Sequence, residues 1–394
     1  MADNNENKVL NVPHLRFPEF TKEWEMASLQ DIAAVNPKSN PLQNSFVYID
    51  LEAVEKGELR KIQEVMREEA PSRAQRVIYK NDILFQCVRP YQKNNYIHKI
   101  QSKSNQQWVA STGYAQIRTT EIPNYIYHLL NTDGFNRKVM VRCTGSSYPA
   151  INSEDLATIR FYLTTDTKEQ LKISRLLDLL DERIATQNKI IEKLQSLIKG
   201  LNNTLQYDTG GKSVCLGDIL LERSERSQTN NQHEVLSSTV KGIFSQREYF
   251  SKDIASENNV GYKIIRLHDV VLSPQNLWMG NINYNDRFEI GIVSPSYKVF
   301  SIADGYDNQF VAAMLKTHRA LYSYMMVSEQ GASIVRRNLN MEAFSQLVFK
   351  IPSLDKQREI GYAISLLKSQ LKTANKIIKA YTSQKQYLLR QMFI

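Results

Sequence analysis

The sequence predicts an α/β (α+β) protein built as an internal repeat, in which each half is a strand-rich globule followed by a long coiled-coil helix. Three observations carry that expectation. The tetrapeptide NKII stands at Asn188–Ile191 and again at Asn375–Ile378, an offset of 187 residues. Around each copy, apolar residues step by four and three, the period of a heptad seam. Upstream of each helix lie short β-branched and aromatic runs bounded by Pro, Gly, Asn and Ser.

Sliding the chain against itself extends the repeat. The same offset of 187 aligns Leu29-Gln30-Asp31-Ile32 with Leu216-Gly217-Asp218-Ile219, and Asn81-Asp82-Ile83-Leu84 with His268-Asp269-Val270-Val271. Small gaps add Val109-Ala110-Ser111 against Ile292-Val293-Ser294, Leu130-Asn131-Thr132 against Leu315-Lys316-Thr317, and Ile159–Leu163 against Leu347–Ile351. The matches keep their order along both halves, which chance rarely arranges.

The first helix carries the seam Ile173, Leu177, Leu180, Ile184, Gln187, Ile191, Leu194, Ile198 and Leu201. The second repeats it as Ile360, Ile364, Leu367, Leu371, Ala374, Ile378, Tyr381, Lys385 and Leu388. Further apolar residues lie off the seam, among them Leu176, Leu179, Ile190 and Leu197, so the apolar face is wider than a two-helix coil needs. Two readings of that width stand: further helices dock there, or the neighbouring globule covers it. Asp166 or Thr167 caps the first helix, and the breakers Tyr207-Asp208-Thr209-Gly210-Gly211 end its region. Pro352-Ser353-Leu354-Asp355 supplies a stop and then a cap before the second. The boundaries expected are 1–165 and 207–353 for the globules, and 166–206 and 354–394 for the helices.

Within the globules, FVYID, RVIYKNDILFQCV and WVASTGYAQIRT read as strands, as do YKIIRLHDVVLSP and IGIVSPSYKVFSI. PNYIYHLLNTDGFNRKVMV and DNQFVAAMLKTHRALYSYMMV read as helical.

Composition excludes several classes. Hydrophobic residues make up 42% and charged residues 23%, as in a folded soluble protein with several cores. No apolar run reaches membrane-spanning length, and the N-terminal stretch MADNNENKVLNV has no signal-peptide pattern. Cys87, Cys143 and Cys215 are few, odd in number and dispersed, which points to reduced thiols and a cytoplasmic location. The net charge of +9 leans toward a phosphate-bearing partner. In the last forty residues eight Lys and Arg face two acids, so much of that charge sits on the second helix.

No catalytic or metal signature emerges. Gly210-Gly211-Lys212-Ser213 lacks the earlier glycine and the leading strand of a phosphate loop. No dinucleotide turn is present, Asn36-Pro37-Lys38 is not an amino-methyltransferase tetrad, and no Cys or His pair has metal-ligand spacing. Two pairs of loops at matching positions stand out instead. QCVRPYQKNN offers Arg89, Tyr91, Gln92, Lys93 and Asn94, and SPQNLWMGNIN offers Gln275, Asn276 and Trp278. TGSSYPAIN adds Ser146, Ser147 and Tyr148, and QGASIVRRN adds Ser333, Arg336 and Arg337. Arg, Asn and Gln form paired hydrogen bonds to base edges, and Lys suits phosphates. Each residue alone is equally compatible with an ordinary polar turn. As a group, duplicated frameworks with different loops suggest two ligands on one scaffold.

At the helix junctions the chain resembles a known family. GSSYPAINSEDLATIRFYL running into KEQLKISRLLDLLDERIATQNKIIEKLQSLIKGL is similar to the junction of type I restriction–modification specificity subunits. NLNMEAFSQLVFKIPSLDKQREIGYAISLLKSQLKTANKII resembles the same junction, and VPHLRFPEFTKEWEMASLQDI resembles the family's opening. Leu163-Thr164-Thr165 departs from the pattern, since a proline is common there and Pro352 supplies it in the second copy. The resemblance implies two target-recognition domains joined by two long antiparallel coiled-coil helices, with pseudo-twofold symmetry. It implies a non-catalytic reader of double-stranded DNA in which each globule reads half of a split target and the helices set the spacing. A helix of about 35 residues spans roughly 50 Å, against about 34 Å between successive major-groove faces. Two methyltransferase subunits binding S-adenosylmethionine and two ATP- and Mg-dependent translocase subunits are the partners implied, with no cofactor and no metal in this chain. The partner interface expected on the helices is Ile173, Leu177, Leu180, Ile184, Ile191, Leu194, Ile198, Ile360, Ile364, Leu367, Leu371 and Ile378. A scaffold that joins two protein-binding domains without reading DNA is the competing expectation.

Overall fold

A computed structural model describes residues 11–100, 106–207, 211–249, 258–330 and 337–394. The predicted breaker residues Asp208–Gly210 and the polar stretch 1–10 lie outside the described residues. The chain divides into two compact units, one of residues 1–188 with 377–394, the other of residues 189–376. Both stem helices, Thr167–Tyr207 and Leu354–Gln391, therefore contribute one part to each unit.

In the first unit a four-stranded antiparallel sheet runs in the order Ala33–Val35, Tyr114–Thr119, Ile83–Gln86 and Tyr96–Ile97. A second sheet orders Gln63–Met66, Ser45–Ile49, Gln107–Ser111 and Ala74–Ile78, with one parallel pair between Ser45–Ile49 and Gln107–Ser111. The ribbon of Glu25–Ser28 with Arg160–Leu163 delivers the chain to the stem helix. The second unit repeats the first sheet as Leu220–Arg223, Lys298–Ile302, Val270–Leu272 and Ile282–Tyr284. It repeats the ribbon as Lys212–Cys215 with Val348–Ile351.

The offset found in the sequence holds in three dimensions. Helices Leu29–Ile32 and Leu216–Ile219, 3-10 turns Pro90–Gln92 and Leu277–Met279, and the stem starts Thr167 and Leu354 are each 187 residues apart. The Asn81-Asp82 and His268-Asp269 match is a shared turn. Asn81 and His268 take left-handed backbone, with φ of 73° and 76°. The buried Asp82 carboxylate accepts the Tyr79 N–H at 2.8 Å and both Arg118 donors at 2.8 Å. Asp269 accepts the Arg266 N–H at 2.7 Å and Arg223 at 3.0 Å. Burial pushes the Asp269 carboxyl up, against the pull of the Arg266 N–H and the Arg223 guanidinium.

The seam residues are covered by this chain. Ile173, Leu177 and Leu180 are buried in one cluster with Trp24, Tyr125, Leu388, Met392 and Phe393. In the second unit Leu194, Ile364 and Ala374 are buried, and Ile360 packs against the globule's core. Ile184, Ile191, Ile198, Leu367, Leu371 and Ile378 are half-buried. Ile173, Leu177, Leu180, Leu194 and Ile364, expected at a partner interface, are enclosed by their own chain. Within the first unit the two helices run antiparallel, since Asp181 pairs with Lys385 while the later Arg183 meets the earlier Tyr381. The residues left open are off the seam, with Leu171, Leu179, Ile190 and Leu197 each 44–51% exposed.

Leu180→Asp places a charge at a site 6% exposed. It is expected to cost the chain roughly 4 kcal/mol. The lowered unfolding midpoint is to be measured on the chain alone, without any partner.

Candidate nucleic-acid interface

In the first unit the strand Ile83–Gln86 runs into the 3-10 turn Pro90–Gln92, which is bracketed by two left-handed residues, Arg89 (φ 53°) and Lys93 (φ 52°). Side chains other than glycine rarely adopt this backbone, at a cost of about 1 kcal/mol or more each, so the surrounding structure must enforce it. The enforcement is visible. The Arg89 N–H donates to the Pro149 carbonyl at 2.8 Å, and the Ile151 N–H donates to the Cys87 carbonyl at 3.0 Å. The Gln86 side chain holds the turn from below, accepting the Asn94 N–H and donating to Gln92 Oε1, both at 3.0 Å.

These bonds lay the second predicted loop against the first. Thr144 and Ala150 exchange two backbone hydrogen bonds of 2.9 Å around a tight turn that exposes Ser146, Ser147 and Tyr148. Gly145 in that turn has φ +88°, and a Cβ there would sit 3.0 Å from the Tyr148 carbonyl oxygen. The Arg89 guanidinium lies over the Tyr148 ring at 4.2 Å. Tyr148 is 63% exposed and Tyr91 49%, so the pair of loops presents a solvent-facing shelf of a cation, two aromatic rings and two hydroxyls.

The second unit builds the same shelf with its parts exchanged. The turn Leu277–Met279 follows Gln275 and Asn276 and closes on Gly280, which has φ 93°. The Arg337 N–H donates to the Gln275 carbonyl at 3.1 Å, and the Arg337 guanidinium lies 5.2 Å from the Trp278 ring centre. In the first unit the cation comes from the earlier loop and the ring from the later. In the second the ring comes from the earlier loop and the cation from the later. Ser333 and Arg336 lie outside the described residues.

Two of the predicted site residues have other duties. Lys93 donates to the Asn131 carbonyl at 3.0 Å and to the Asp133 carboxylate at 2.6 Å. That hydrogen bond holds the Asp133 carboxyl below its usual range. Asn94 accepts the Lys56 N–H at 3.0 Å. Both are drawn into the fold because their donors and acceptors complete the turn. Sequence reading also missed two exposed apolar residues on the helices that lead into the second loops. Val141 is 87% exposed in Asp133–Arg142, and Met326 is 65% exposed in His318–Met326. The signal was available for Val141, which falls outside the helical spacing of the buried Phe135 and Val139.

Guanidinium, amide and hydroxyl groups beside exposed rings can hydrogen-bond base edges and stack on bases or sugars. Among the described residues no group of three or more His, Cys, Asp or Glu is placed to hold a metal ion. No described helix is long and apolar enough to cross a membrane.

Residues 21–196 match the family described as Type I restriction modification DNA specificity domain. The match spans somewhat less than half of the chain. Its fold is similar to the type I restriction–modification S subunit of M. genitalium, with TM-score 0.61 at 14% identity, covering 97% of this chain and 99% of that one. It is also similar to a chain from a structure of complex assembly and conformational transition in a type I R-M system, with TM-score 0.52 at 18% identity, covering 96% and 98%. No curated protein sequence gives a significant match.

Gly145→Ala is expected to destabilise the chain by about 1–3 kcal/mol, because φ is positive and the Cβ meets backbone. Gly134→Ala is the control: its Cβ meets only Thr132 Oγ1 at 4.0 Å, and in a helix it should stabilise by about 0.5 kcal/mol. Chemical unfolding of the two variants checks both signs.

Proposed function

We propose that this chain is the non-catalytic sequence reader of a type I restriction–modification complex. Each globule reads one half of a bipartite duplex target, and the stem helices set the spacing between the halves. The functional parts are the globules 1–165 and 207–353 and the helices 166–206 and 354–394. Two methyltransferase subunits, which bind S-adenosylmethionine, dock on the stem, and two translocase subunits use ATP and Mg. The carrying observation is that the repeat places a 3-10 turn closed by a left-handed residue in both globules and arms it differently, with Arg89, Tyr91 and Tyr148 in one and Trp278 and Arg337 in the other. Reading two different half-sites calls for this pattern of shared framework and divergent contact groups. The match of residues 21–196 to a DNA specificity domain supports the same reading.

The exposed off-seam residues Leu171, Leu179, Ile190 and Leu197 supply apolar area for the methyltransferase, in place of the enclosed seam.

Methylation mapping of cells with and without the gene is expected to show loss of one split, asymmetric motif. Exchanging residues 20–160 for those of another family member is expected to change one half of the motif only. A change in both halves refutes the assignment of one globule to each half-site. A scaffold without DNA specificity predicts a flat salt dependence of duplex binding by the assembled complex. A reader with six or more phosphate contacts should lose on the order of a thousandfold in affinity between 50 and 200 mM salt.

A further inference from the structure

The two globules tie their turns to the helix corner behind them by one interaction, run in opposite directions. In the first unit the amine comes from the turn: Lys93 reaches the Asn131 carbonyl at 3.0 Å. In the second it comes from the corner: Lys316 donates to the Gly280 carbonyl at 2.8 Å and to Asn283 Oδ1 at 2.8 Å. Gly280 is the repeat equivalent of Lys93, and the two share left-handed backbone with φ of 93° and 52°. Lys316 is the equivalent of Asn131. The N–H of each closes the preceding helix at 3.1 Å, on the His128 and Ala313 carbonyls. Each is followed by a threonine, Thr132 or Thr317, whose hydroxyl caps the next helix. Donor and acceptor have thus changed places between positions that are otherwise superposable in role.

A lysine on a polar turn has solvent as its default environment, and turning its amine inward costs side-chain freedom and hydration. For Lys316 the desolvation holds the amine down to about 8, with the Lys368 charge adding to the effect. Keeping such a tie in both halves, by two different constructions, indicates that the tie is needed whatever side chains the turn presents. Tyr91 and Trp278 stand two residues before the tied positions 93 and 280.

We infer that Lys93 and Lys316 are positioning residues for half-site reading, each fixing the turn of its own globule against the helix corner; this rests on the reading role proposed above. A base contact requires its side chain to be held within a fraction of an ångström, and a turn released from its tie loses that registration. The loss expected for one disrupted base-pair contact is about tenfold or more in discrimination.

The test uses the complete complex with its methyltransferase subunits. The probes are duplexes carrying the motif mapped for the wild type, and duplexes with one or the other half scrambled. Lys93→Met is expected to lower discrimination at one half-site about tenfold and leave the other unchanged, and Lys316→Met to do the reverse. The decisive variant transplants the second construction into the first unit. Lys93→Gly combined with Asn131→Lys is expected to restore discrimination to within about threefold of wild type. Asn131 also accepts from Asn95 at 3.1 Å and donates to the Tyr127 carbonyl at 2.8 Å, so the double variant is compared with Asn131→Lys alone, and only the rebuilt tie separates the two in half-site discrimination. Single variants with unaltered half-site discrimination, a loss spread over both halves, or a double variant no better than Lys93→Met each overturn the inference. A wild-type complex with no half-site preference overturns the reading role itself, and the inference with it.

Discussion

The rest of each unit depends on one buried glutamine at the start of its stem helix. Gln170 accepts the Ile122 N–H at 3.1 Å and donates to the Thr164 carbonyl at 2.8 Å. Gln357, 187 residues on, accepts the Asp307 N–H at 3.0 Å and donates to the Pro352 carbonyl at 2.9 Å. Ile122 and Asp307 are the N-caps of the helices Pro123–Leu130 and Asn308–Met314, so the glutamine holds the start of each helix in place. Thr164 and Pro352 are the residues just after the last strands. A single amide therefore fastens three elements, and it does so out of water, where leaving any of these groups unpaired would cost about 1–3 kcal/mol. From this joint the order passes outward. The fastened helix ends at the corner Asn131 or Lys316, the corner holds the turn, and the turn presents Tyr91 or Trp278.

The framework is conserved between the halves while its working parts are exchanged. Cation and ring swap loops between Arg89–Tyr148 and Trp278–Arg337, and amine and carbonyl swap between Lys93–Asn131 and Gly280–Lys316. A pairwise contact constrains the sum of two positions, not either one, so it survives when both partners change together. Such exchanges let the two surfaces diverge without disturbing the sheet order that they share.

This explains what could and could not be read from residues alone. The repeat was legible because its framework signals are local: NKII, the Asp82 and Asp269 turns, and the heptad steps each lie within one short stretch. The correspondence of the loops between the halves was legible from position, whereas the packing of the two loops of each half against one another was not, because it rests on backbone bonds between distant residues such as Arg89 and Pro149. Lys93 was read as a phosphate ligand because a charge in a polar loop points to solvent by default, and the acceptor that captures it lies 38 residues away. The seam residues Ile173, Leu177 and Leu180 were legible as buried, since period and apolarity specify which face is covered. What covers them was not legible, because the cover comes from the globule and from the far end of the chain.

That last point bears on how the globules can be exchanged between relatives. The first unit is not a continuous stretch: Met392 and Phe393 are buried in its core, and Phe393 packs against Trp24 at 6.1 Å and Tyr125 at 5.4 Å between ring centres. The Leu15 N–H also donates to the Gln391 carbonyl at 2.8 Å. A transplanted segment 20–160 brings its own residues to positions 24 and 125 while the recipient keeps Phe393. The substitution is therefore neutral for folding only where the donor offers aromatic or similarly large apolar side chains at both positions, because a void beneath Phe393 would cost about 2–5 kcal/mol. The portability of the globule is set by two rings at the foot of the stem.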